Sequence, residues 1–482
     1  MNNNSFYKKF FSSPSLTILI LCFALILRFY DFNTLGFWGD EYNPFWITEP
    51  LRTFNEISLR TEKAPTFIPP YYYYVLNLYF HLFEYSVAAS KIFHIVFGVL
   101  CLLLTYILSK FFLKNSAANL VIYLLSFNVF FIWISNEARI ICFALFFQLL
   151  NILIFFWILK NINQPISIKK LLTLFIINII TLSIHPFSVI IVFSQFLFLI
   201  IIYKNIIYEN RRKILFYITF IIFSYLSYVL INFDYFFSSL SDSRQSHNQL
   251  NLNFFLGLNF KTYFQSYILG FLNLLIIYYL FFKIREIFSK NHYVSFLLLV
   301  FAITYIFIIF GTIFLSGFNS PRSFSYLLPI IVILATYLLT DFKKIFISKI
   351  LIIFFLVYTP IVYAYKIDKP VVRKPATPKL IQIFNSSNID YIVSENYFYF
   401  EHYLINGYKK KFTKKIVKEK DIQNIKDDFW YLCLDLTWHQ SKGSYYDEIY
   451  ECSPKKVEAF NFKKGNSIKL NGFVITKFEY LN

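Results

Sequence analysis

Charged residues and glycine are both scarce in this chain. Asp, Glu, Lys and Arg make up 15% of its 482 residues, whereas they make up about a quarter of an ordinary soluble domain. Only 11 residues are glycine, and the sequence contains neither a phosphate-binding loop nor a glycine-rich dinucleotide motif. The low charge excludes an ordinary soluble protein, and the missing glycine motifs argue against a soluble nucleotide as donor substrate.

Cysteine is also rare, with five residues and no Cys-x-x-Cys pair. Cys22, Cys101 and Cys142 lie inside apolar runs, where a thiol usually behaves as a small hydrophobic group. Cys433 and Cys452 lie in the polar C-terminal segment and could form a disulfide if that segment is outside the cytosol, but pairing stays open. No His-x-x-x-His or Asp-x-Asp accompanies the candidate sites below, so no cofactor is expected, and a divalent metal stays open.

Apolar residues are abundant instead, at 57% of the chain, and they occur in runs near the ~20 residues that a helix needs to cross a membrane. The net charge of +19 comes mostly from short loops and from the C-terminal segment. Orientation in an anionic membrane explains this distribution better than binding to nucleic acid does. About eleven transmembrane helices are predicted, at roughly 15–32, 88–110, 117–135, 138–159, 171–187, 188–203, 214–233, 263–282, 294–317, 323–340 and 345–365.

The segment 69–84 is too short for a span and carries one polar stripe, because Asn77, His81 and Glu84 recur at helical spacing. We therefore expect a helix lying in the membrane interface within a first external loop at about 33–87. With 69–84 outside the membrane, and beyond this first loop, one alternating set of loops carries fifteen Lys and Arg residues and the other carries four. The positive-inside rule then predicts a cytoplasmic N-terminus and an extracytoplasmic C-terminus.

The C-terminal segment predicts a separate small α/β domain on the outer face, at 366–482, following a transmembrane module at 1–365. Thr377-Pro378 is a good start for a helix that continues to Phe384. Residues 390–393, 430–434 and 473–477 have the composition of strands, and 419–427 has that of a short polar helix. The whole chain is thus predicted to be an all-α polytopic membrane protein with an α/β C-terminal domain.

Asp40 and Glu41 are adjacent carboxylates just beyond the first apolar run. Two solvated loop charges are the ordinary explanation, but Phe37, Trp38 and Trp46 suggest a loop folded back onto the membrane surface, where a carboxylate is partly desolvated. Such a group can accept a proton from a hydroxyl in the transition state. We therefore predict an enzyme site at the outer boundary of the membrane.

Several cations are predicted to lie at the same boundary as the carboxylate pair. Each could simply extend its charge from a span end into water. Together they could instead bind a phosphate group, since the planar guanidinium matches phosphate oxygens in a bidentate geometry. His185, in a turn at the outer boundary, could add a hydrogen bond or could be an ordinary interfacial histidine. The cations are Arg28, Lys91, Arg139 and Arg322.

Several stretches, taken in order, resemble the membrane-embedded GT-C glycosyltransferases related to protein O-mannosyltransferases and to the aminoarabinose transferase of lipid A. Lys91 stands where that family usually has arginine, Ile68 where it often has histidine, and Ile141-Cys142 where Met-Tyr is usual. The matching stretches are RFYDFNTLGFWGDEYNPFWIT at 28–48, PPYY at 69–72, the run from Lys91 to Gly98, NEAR at 136–139 and SPRSFSYLLP at 320–329.

The resemblance implies a GT-C-like fold and an inverting transfer of sugar from a polyprenyl-phosphate-linked donor to an acceptor hydroxyl on the outer face of the cytoplasmic membrane. Asp40 would be the base and Glu41 its support. The acceptor would be a lipid, a glycan or a protein, and the only other partners expected are membrane lipids, with no nucleic acid. The implied donor-phosphate residues are Arg139, Arg322, Lys91 and Arg28, and the implied substrate contacts are Glu137, His185, Tyr71 and Tyr326.

Two other classes of protein fit the composition. A transporter or flippase for lipid-linked saccharides would place charged groups near the membrane midplane, often in broken helices. Here the span interiors are nearly free of charge and poor in glycine, which argues against transport. A structural membrane protein whose C-terminal segment carries the function is the third class, and in that case Asp40 would be replaceable.

Overall fold

The chain forms two compact units in this computed structural model. The first unit comprises Met1–Phe29, Asn55–Tyr72 and His94–Asp368, and the second comprises Tyr30–Phe54, Tyr73–Phe93 and Lys369–Asn482. The structure describes residues 13–30, 32, 36–37, 39–63, 69–160, 168–203, 208–232, 262–315, 321–341, 345–366, 376–394, 397–408, 411–434, 460–470 and 473–481. Trp38, Ile68, Ser320 and Cys452, named above, lie outside these residues. The division at 365/366 stays a prediction.

Helices make up almost all of the described chain before residue 367. Short 3₁₀ turns, Pro186–Ser188 and Pro321–Phe324, precede two of them. The helices are α1 (Pro14–Phe29), α2 (Gly39–Ile47), α3 (Phe54–Lys63), α4 (Tyr71–Leu82), α5 (Val87–Ser109), α6 (Asn115–Ser126), α7 (Val129–Asn136), α8 (Ile140–Lys160), α9 (Ile168–Ile184), α10 (Val189–Tyr203), α11 (Tyr208–Ile231), α12 (Thr262–Phe264), α13 (Tyr267–Phe282), α14 (Ile284–Lys290), α15 (His292–Leu315), α16 (Leu327–Asp341) and α17 (Ile345–Lys366).

Among the described helices, five are long and apolar enough to cross a membrane: α5, α8 and parts of α11, α15 and α17. Each of the eleven predicted spans overlaps one or two helices of the structure. The segment predicted to lie in the interface forms α4, whose 12 residues are too few to span. The predicted polytopic all-α architecture is therefore confirmed, and the interfacial position of α4 stays a prediction.

One predicted span is broken in two. The apolar run at 117–135 forms α6 and α7, which meet at an angle of 65°. Asn128 causes the break, because its side chain accepts a hydrogen bond from the Phe131 amide at 2.9 Å and so caps a new helix. The amide of the same side chain donates to the Tyr263 carbonyl at 2.8 Å. The bend thus depends on one buried polar side chain that hydropathy alone does not single out.

Neutral polar side chains join α8, α9 and α10 inside the first unit. The Asn151 amide donates to Asn178 Oδ1 at 2.9 Å and to Thr181 Oγ1 at 3.2 Å. Gln195 Nε2 donates to Asn151 Oδ1, and Gln148 Nε2 donates to Ser188 Oγ at 3.1 Å. Hydrogen bonds of this kind hold helices together where no hydrophobic force operates between them.

The C-terminal segment contains α18 (Thr377–Ser386), β1 (Tyr391–Ser394), α19 (Tyr397–Phe400), a π-helical turn (Glu401–Asn406), β2 (Lys415–Lys418), β3 (Phe429–Leu434), β4 (Phe462–Leu470) and β5 (Phe473–Tyr480). The strands form one sheet of order β2-β1-β3-β5-β4. Strands β2, β1 and β3 are parallel, whereas β5 is antiparallel to both β3 and β4. The predicted 419–427 helix is a 3₁₀ turn at Glu419–Asn424, and Cys433 on β3 is disulfide-bonded.

The sheet contains two strands that the sequence did not predict. Strand β2 has only four residues, and β4 has three lysines and a burial pattern that is mostly exposed. Each pairs with one neighbour only, so both are edge strands, and charge is usual there. The small α/β C-terminal domain is confirmed as a fold.

Gly98 on α5 allows α7 to approach closely. A Cβ at Gly98 would lie 2.6 Å from Ser135 Cβ, a distance at which one of the helices must move. We expect Gly98→Ala to lower the free energy of unfolding by about 1–3 kcal/mol through overpacking, measured as a lower melting temperature in detergent. The double variant Gly98→Ala/Ser135→Gly removes the opposing Cβ and should recover most of the loss. Equal melting temperatures for wild type and Gly98→Ala would contradict this packing.

Candidate functional site

The chain makes a tight turn between α7 and α8, and this turn carries Glu137 and Arg139. Glu137 is the C-cap of α7 with φ −85° and ψ 118°, so the helix ends there. The Arg139 amide donates to the Glu137 carbonyl at 2.7 Å, and Ala138 between them is fully buried. The bent path that begins at Asn128 therefore ends with an acidic and a basic side chain two residues apart.

Glu137 binds two arginines through one carboxylate oxygen. Its Oε1 accepts from Arg322 Nη1 at 2.9 Å and lies 3.5 Å from Arg139 Nη1. The Glu137 side chain is 0% exposed, whereas those of Arg139 and Arg322 are 27% and 25% exposed. The carboxylate thus lies on the buried side of the arginine pair, and both arginines keep surface that a ligand can reach.

Arg322 is held from behind by its own turn and by an aromatic ring. The Tyr263 hydroxyl lies 3.1 Å from both the Pro321 and the Phe324 carbonyl oxygens, which bracket Arg322 in the 3₁₀ turn. The guanidinium carbon is 5.4 Å from the centre of the Trp133 ring, a cation–π distance. Trp133 lies four residues before Glu137 and so on the same face of α7. These contacts fix the Arg322 side chain in the direction of Glu137.

His185 lies in the turn before α10 and is 8% exposed. Burial, and then the positive charge of Arg139, lower its pKa to about 4, so the imidazole is neutral near pH 7. Its Nδ1 is buried and has no hydrogen-bond partner among the residues that the structure describes. A neutral ring beside Arg139 can donate one hydrogen bond to an anion without adding charge.

An apolar cavity of about 580 Å³ begins beside this turn and is lined by residues of α10, α11 and α15. The Phe187 ring lies 6.1 Å from that of Phe307, which lines the cavity, and 4.9 Å from that of Phe324, two residues after Arg322. The lining includes Val189, Phe193, Ile222, Tyr225, Ile306 and Phe310. We call this cavity the apolar groove; the Phe187 ring connects its lining to the turn that carries Arg322.

The other predicted residues of the first unit are Arg28, Tyr326 and Tyr71, and the first two are fully buried. Arg28 is fully buried, donates to the Ala24 carbonyl at 2.9 Å and lies 5.3 Å from the centre of the Phe131 ring. Tyr326 is also fully buried, with its hydroxyl 3.2 Å from Thr304 Oγ1. Tyr71 begins α4 and is partly buried. Their roles in binding stay predictions.

Asp40 and Glu41 belong to the second unit, where they form the first turn of α2. Ionised carboxylates are stabilised at this end of a helix by the backbone dipoles. Glu41 is 0% exposed, and Asp40 is partly exposed. The pair therefore differs in access to solvent, and Asp40 is the more accessible member.

Aromatic side chains of the C-terminal segment hold the chain on both sides of Asp40. The Phe37 amide donates to the Tyr403 hydroxyl at 2.5 Å, and the Tyr42 and Tyr399 rings are 4.5 Å apart. A Cβ at Gly36 would lie 2.6 Å from the same Tyr403 oxygen, so only glycine fits there. Burial raises the pKa of Tyr399 well above its usual value, and Tyr403, Tyr42 and Glu41 add to the rise. These phenols remain protonated, which suits them to lie beside a buried carboxylate.

Lys91 is also in the second unit and is 4% exposed. Its Nζ donates to the Phe32 carbonyl at 3.0 Å and lies 5.8 Å from the Phe32 ring centre. It also lines a cavity of about 750 Å³ with residues of α18 and of the segment 406–413. No group of three or more His, Cys, Asp or Glu side chains in the described part of the chain is arranged to hold a metal ion.

The structure thus brings four predicted residues together: Glu137, Arg139, Arg322 and His185. In the first unit it adds Trp133 to this cluster, and in the second unit Tyr403 contacts the segment before Asp40; the sequence predicted neither. Trp133 lies four residues before Glu137, and this helical spacing could have indicated that the two side chains are neighbours. Nothing local marks Tyr403, because its partner Phe37 is 366 residues away in the sequence.

Tyr403→Phe removes the hydroxyl that accepts from the Phe37 amide. A buried amide without an acceptor costs about 1–3 kcal/mol, so we expect a lower melting temperature and faster hydrogen exchange in the peptide around residues 36–42. Tyr267→Phe, at a position 60% exposed, is the matched control and should change neither. Unchanged exchange at Phe37 in Tyr403→Phe would mean that the hydroxyl does not hold this segment.

No protein-family model matches the chain, and no curated protein matches it significantly. Solved structures do. An apo oligosaccharyltransferase from Archaeoglobus fulgidus is 12% identical, with a TM-score of 0.51 over 83% of this chain and 64% of that one, so the chain spans less than two thirds of its length. ArnT from Cupriavidus metallidurans, bound to undecaprenyl phosphate, is 9% identical, with a TM-score of 0.53 over 96% of this chain and 98% of that one. The GT-C-like membrane fold is therefore confirmed, as the fold that this chain shares with both transferases.

Proposed function

We propose that this protein is a GT-C-type glycosyltransferase that moves a sugar from a polyprenyl-phosphate-linked donor to an acceptor hydroxyl. One observation carries the proposal: two partly exposed arginines, Arg139 and Arg322, occur in the same unit as an apolar groove. A ligand that combines a phosphate with a long hydrocarbon chain fits this pairing of charge and apolar surface. The similar ArnT structure holds undecaprenyl phosphate, and an archaeal oligosaccharyltransferase of similar fold holds a dolichol-phosphate and an inhibitory peptide.

The donor phosphate would bind to the exposed sides of Arg139 and Arg322, with its isoprenoid chain in the apolar groove. Guanidinium groups bind phosphate oxygens in a bidentate geometry. His185, as a neutral ring, would donate a further hydrogen bond. Arg28 and Lys91 are proposed as further cations for the donor, and Glu137, Tyr71 and Tyr326 as residues that shape the substrate site.

The reaction forms a bond between the acceptor oxygen and the anomeric carbon while the bond from that carbon to the phosphate oxygen breaks. Asp40 would take the proton of the acceptor hydroxyl as general base. The electron pair of the broken bond stays on the phosphate, and the arginines stabilise the charge that develops there. One displacement with no enzyme nucleophile inverts the anomeric carbon. Glu41, buried among phenol groups, would hold the turn that presents Asp40.

The protein is an integral membrane protein by its apolar helices and its fold. We infer that it lies in the cytoplasmic membrane with its N-terminus inside and both the C-terminal domain and the active site outside. The distribution of lysine and arginine among its loops supports this orientation. A lipid-linked donor suits an outer site, because its phosphate is already anchored at the membrane surface.

Arg139→Ala tests the phosphate site. Losing a charge-assisted contact to an anion costs about 1.5–3 kcal/mol, so we expect KM for the lipid-phosphate donor to rise at least about tenfold in transfer assays with purified protein. Arg212→Ala, which removes an exposed arginine from α11, is the matched control and should leave KM unchanged. An unaltered donor KM in Arg139→Ala would assign Arg139 to membrane anchoring alone.

Asp40→Asn tests the base. General-base catalysis contributes about 10²–10⁴-fold, so kcat should fall by that factor while melting temperature and donor binding stay close to wild type. Asp390→Asn, at a side chain 81% exposed in the same unit, should keep full activity. Wild-type turnover by Asp40→Asn would remove the catalytic assignment and favour the structural alternative.

A further inference from the structure

We propose that Glu137 weakens the hold of the arginine pair on the spent lipid phosphate, so that product leaves the enzyme. This inference rests on the proposed function and assigns Glu137 a role in the release step. It concerns the counter-charge of the site, and it predicts that removing Glu137 tightens binding of an anion.

The geometry keeps Glu137 in place when a ligand is bound. Its carboxylate is fully buried, whereas Arg139 and Arg322 are both partly exposed. Its backbone carbonyl is fixed by the Arg139 amide at 2.7 Å. A phosphate can therefore reach the exposed sides of the arginines without displacing the carboxylate beneath them.

The cluster of Glu137, Arg139 and Arg322 carries a small excess of positive charge. Two guanidinium groups and one carboxylate give a net charge of +1, and the neutral His185 adds none. Glu137 Oε2 is buried and has no hydrogen-bond partner in the described chain. The side chain thus contacts both arginines through Oε1, and it lies on the buried side of two side chains that remain 27% and 25% exposed.

The reaction raises the charge of the phosphate. In the donor, a phosphodiester carries one negative charge, and after transfer the lipid phosphate monoester carries about −1.5 to −2 at pH 7. An arginine pair with no counter-ion would bind the product more tightly than the donor, and release would limit turnover. The Glu137 carboxylate repels the monoester more than the diester, and this difference favours exchange of product for new donor.

The decisive measurement is inhibition by undecaprenyl phosphate of the full-length protein in detergent. For Glu137→Gln, which keeps the shape and removes the charge, we expect the inhibition constant to fall about tenfold, because an opposing charge a few ångströms from the phosphate has gone. Slower release of product should lower the steady-state rate relative to the first turnover of the same variant, giving a burst. Loss of a merely structural residue would weaken binding and produce no burst.

Matched variants keep the outcome interpretable. Glu286→Gln makes the same change in net charge at a half-exposed pair with Lys283 and should leave inhibition unchanged. Glu137→Asp shortens the side chain by one methylene group and should lower the inhibition constant of undecaprenyl phosphate about threefold. It replaces Glu137→Gln as the test if that variant does not fold.

Inhibition that is unchanged or weaker in Glu137→Gln, or in Glu137→Asp where that variant must serve, overturns the inference. If wild-type protein neither transfers sugar nor binds undecaprenyl phosphate, the proposed function itself fails. If wild type does both and no variant binds product more tightly, only the role of Glu137 fails.

Discussion

A buried carboxylate held by two arginines is the interaction on which the first unit depends. An isolated charge at 0% exposure would be very costly, and Glu137 is tolerable only because Arg139 and Arg322 neutralise it. The fold must therefore bring both arginines close to Glu137. The break at Asn128 begins the short helix α7, which ends at Glu137, and the Tyr263 hydroxyl supports the turn that carries Arg322. A helix break and a 3₁₀ turn thus position the charged side chains of one ion cluster.

The second unit also contains a buried carboxylate, in the turn of Asp40 and Glu41, but the groups around it differ. Glu41 is as buried as Glu137, but its surroundings include neutral phenols whose protons burial retains, as for Tyr399 and Tyr408. The Tyr403 hydroxyl accepts a hydrogen bond from the backbone amide of Phe37, three residues before Asp40. The C-terminal segment thereby acquires a physical role: it supplies the surface on which the turn of Asp40 and Glu41 is built.

The sequence predicted what depends on local composition. Long apolar runs gave the helices, and the family resemblance singled out the stretch 136–139 that carries Glu137 and Arg139. The contact between Glu137 and Arg322 joins residues 185 positions apart, so only the shared resemblance linked them. The bend at Asn128 was missed because hydropathy averages over the single polar residue that makes it. Strand β4 was missed because its lysines are acceptable only at a sheet edge, which cannot be known before the sheet order is.

The distribution of polar groups also separates transfer from transport. A transport path needs polar groups that can exchange partners with a passing solute. The neutral amides between α8, α9 and α10 are instead bonded mainly to one another, with Asn151 joined to Asn178, Thr181 and Gln195. Such side chains fix the helices relative to each other. The charged groups lie where helices end, at the turns of Glu137 and Arg322. A rigid bundle with charge at its helix ends suits a reaction on an anchored phosphate better than movement of a saccharide through the bundle.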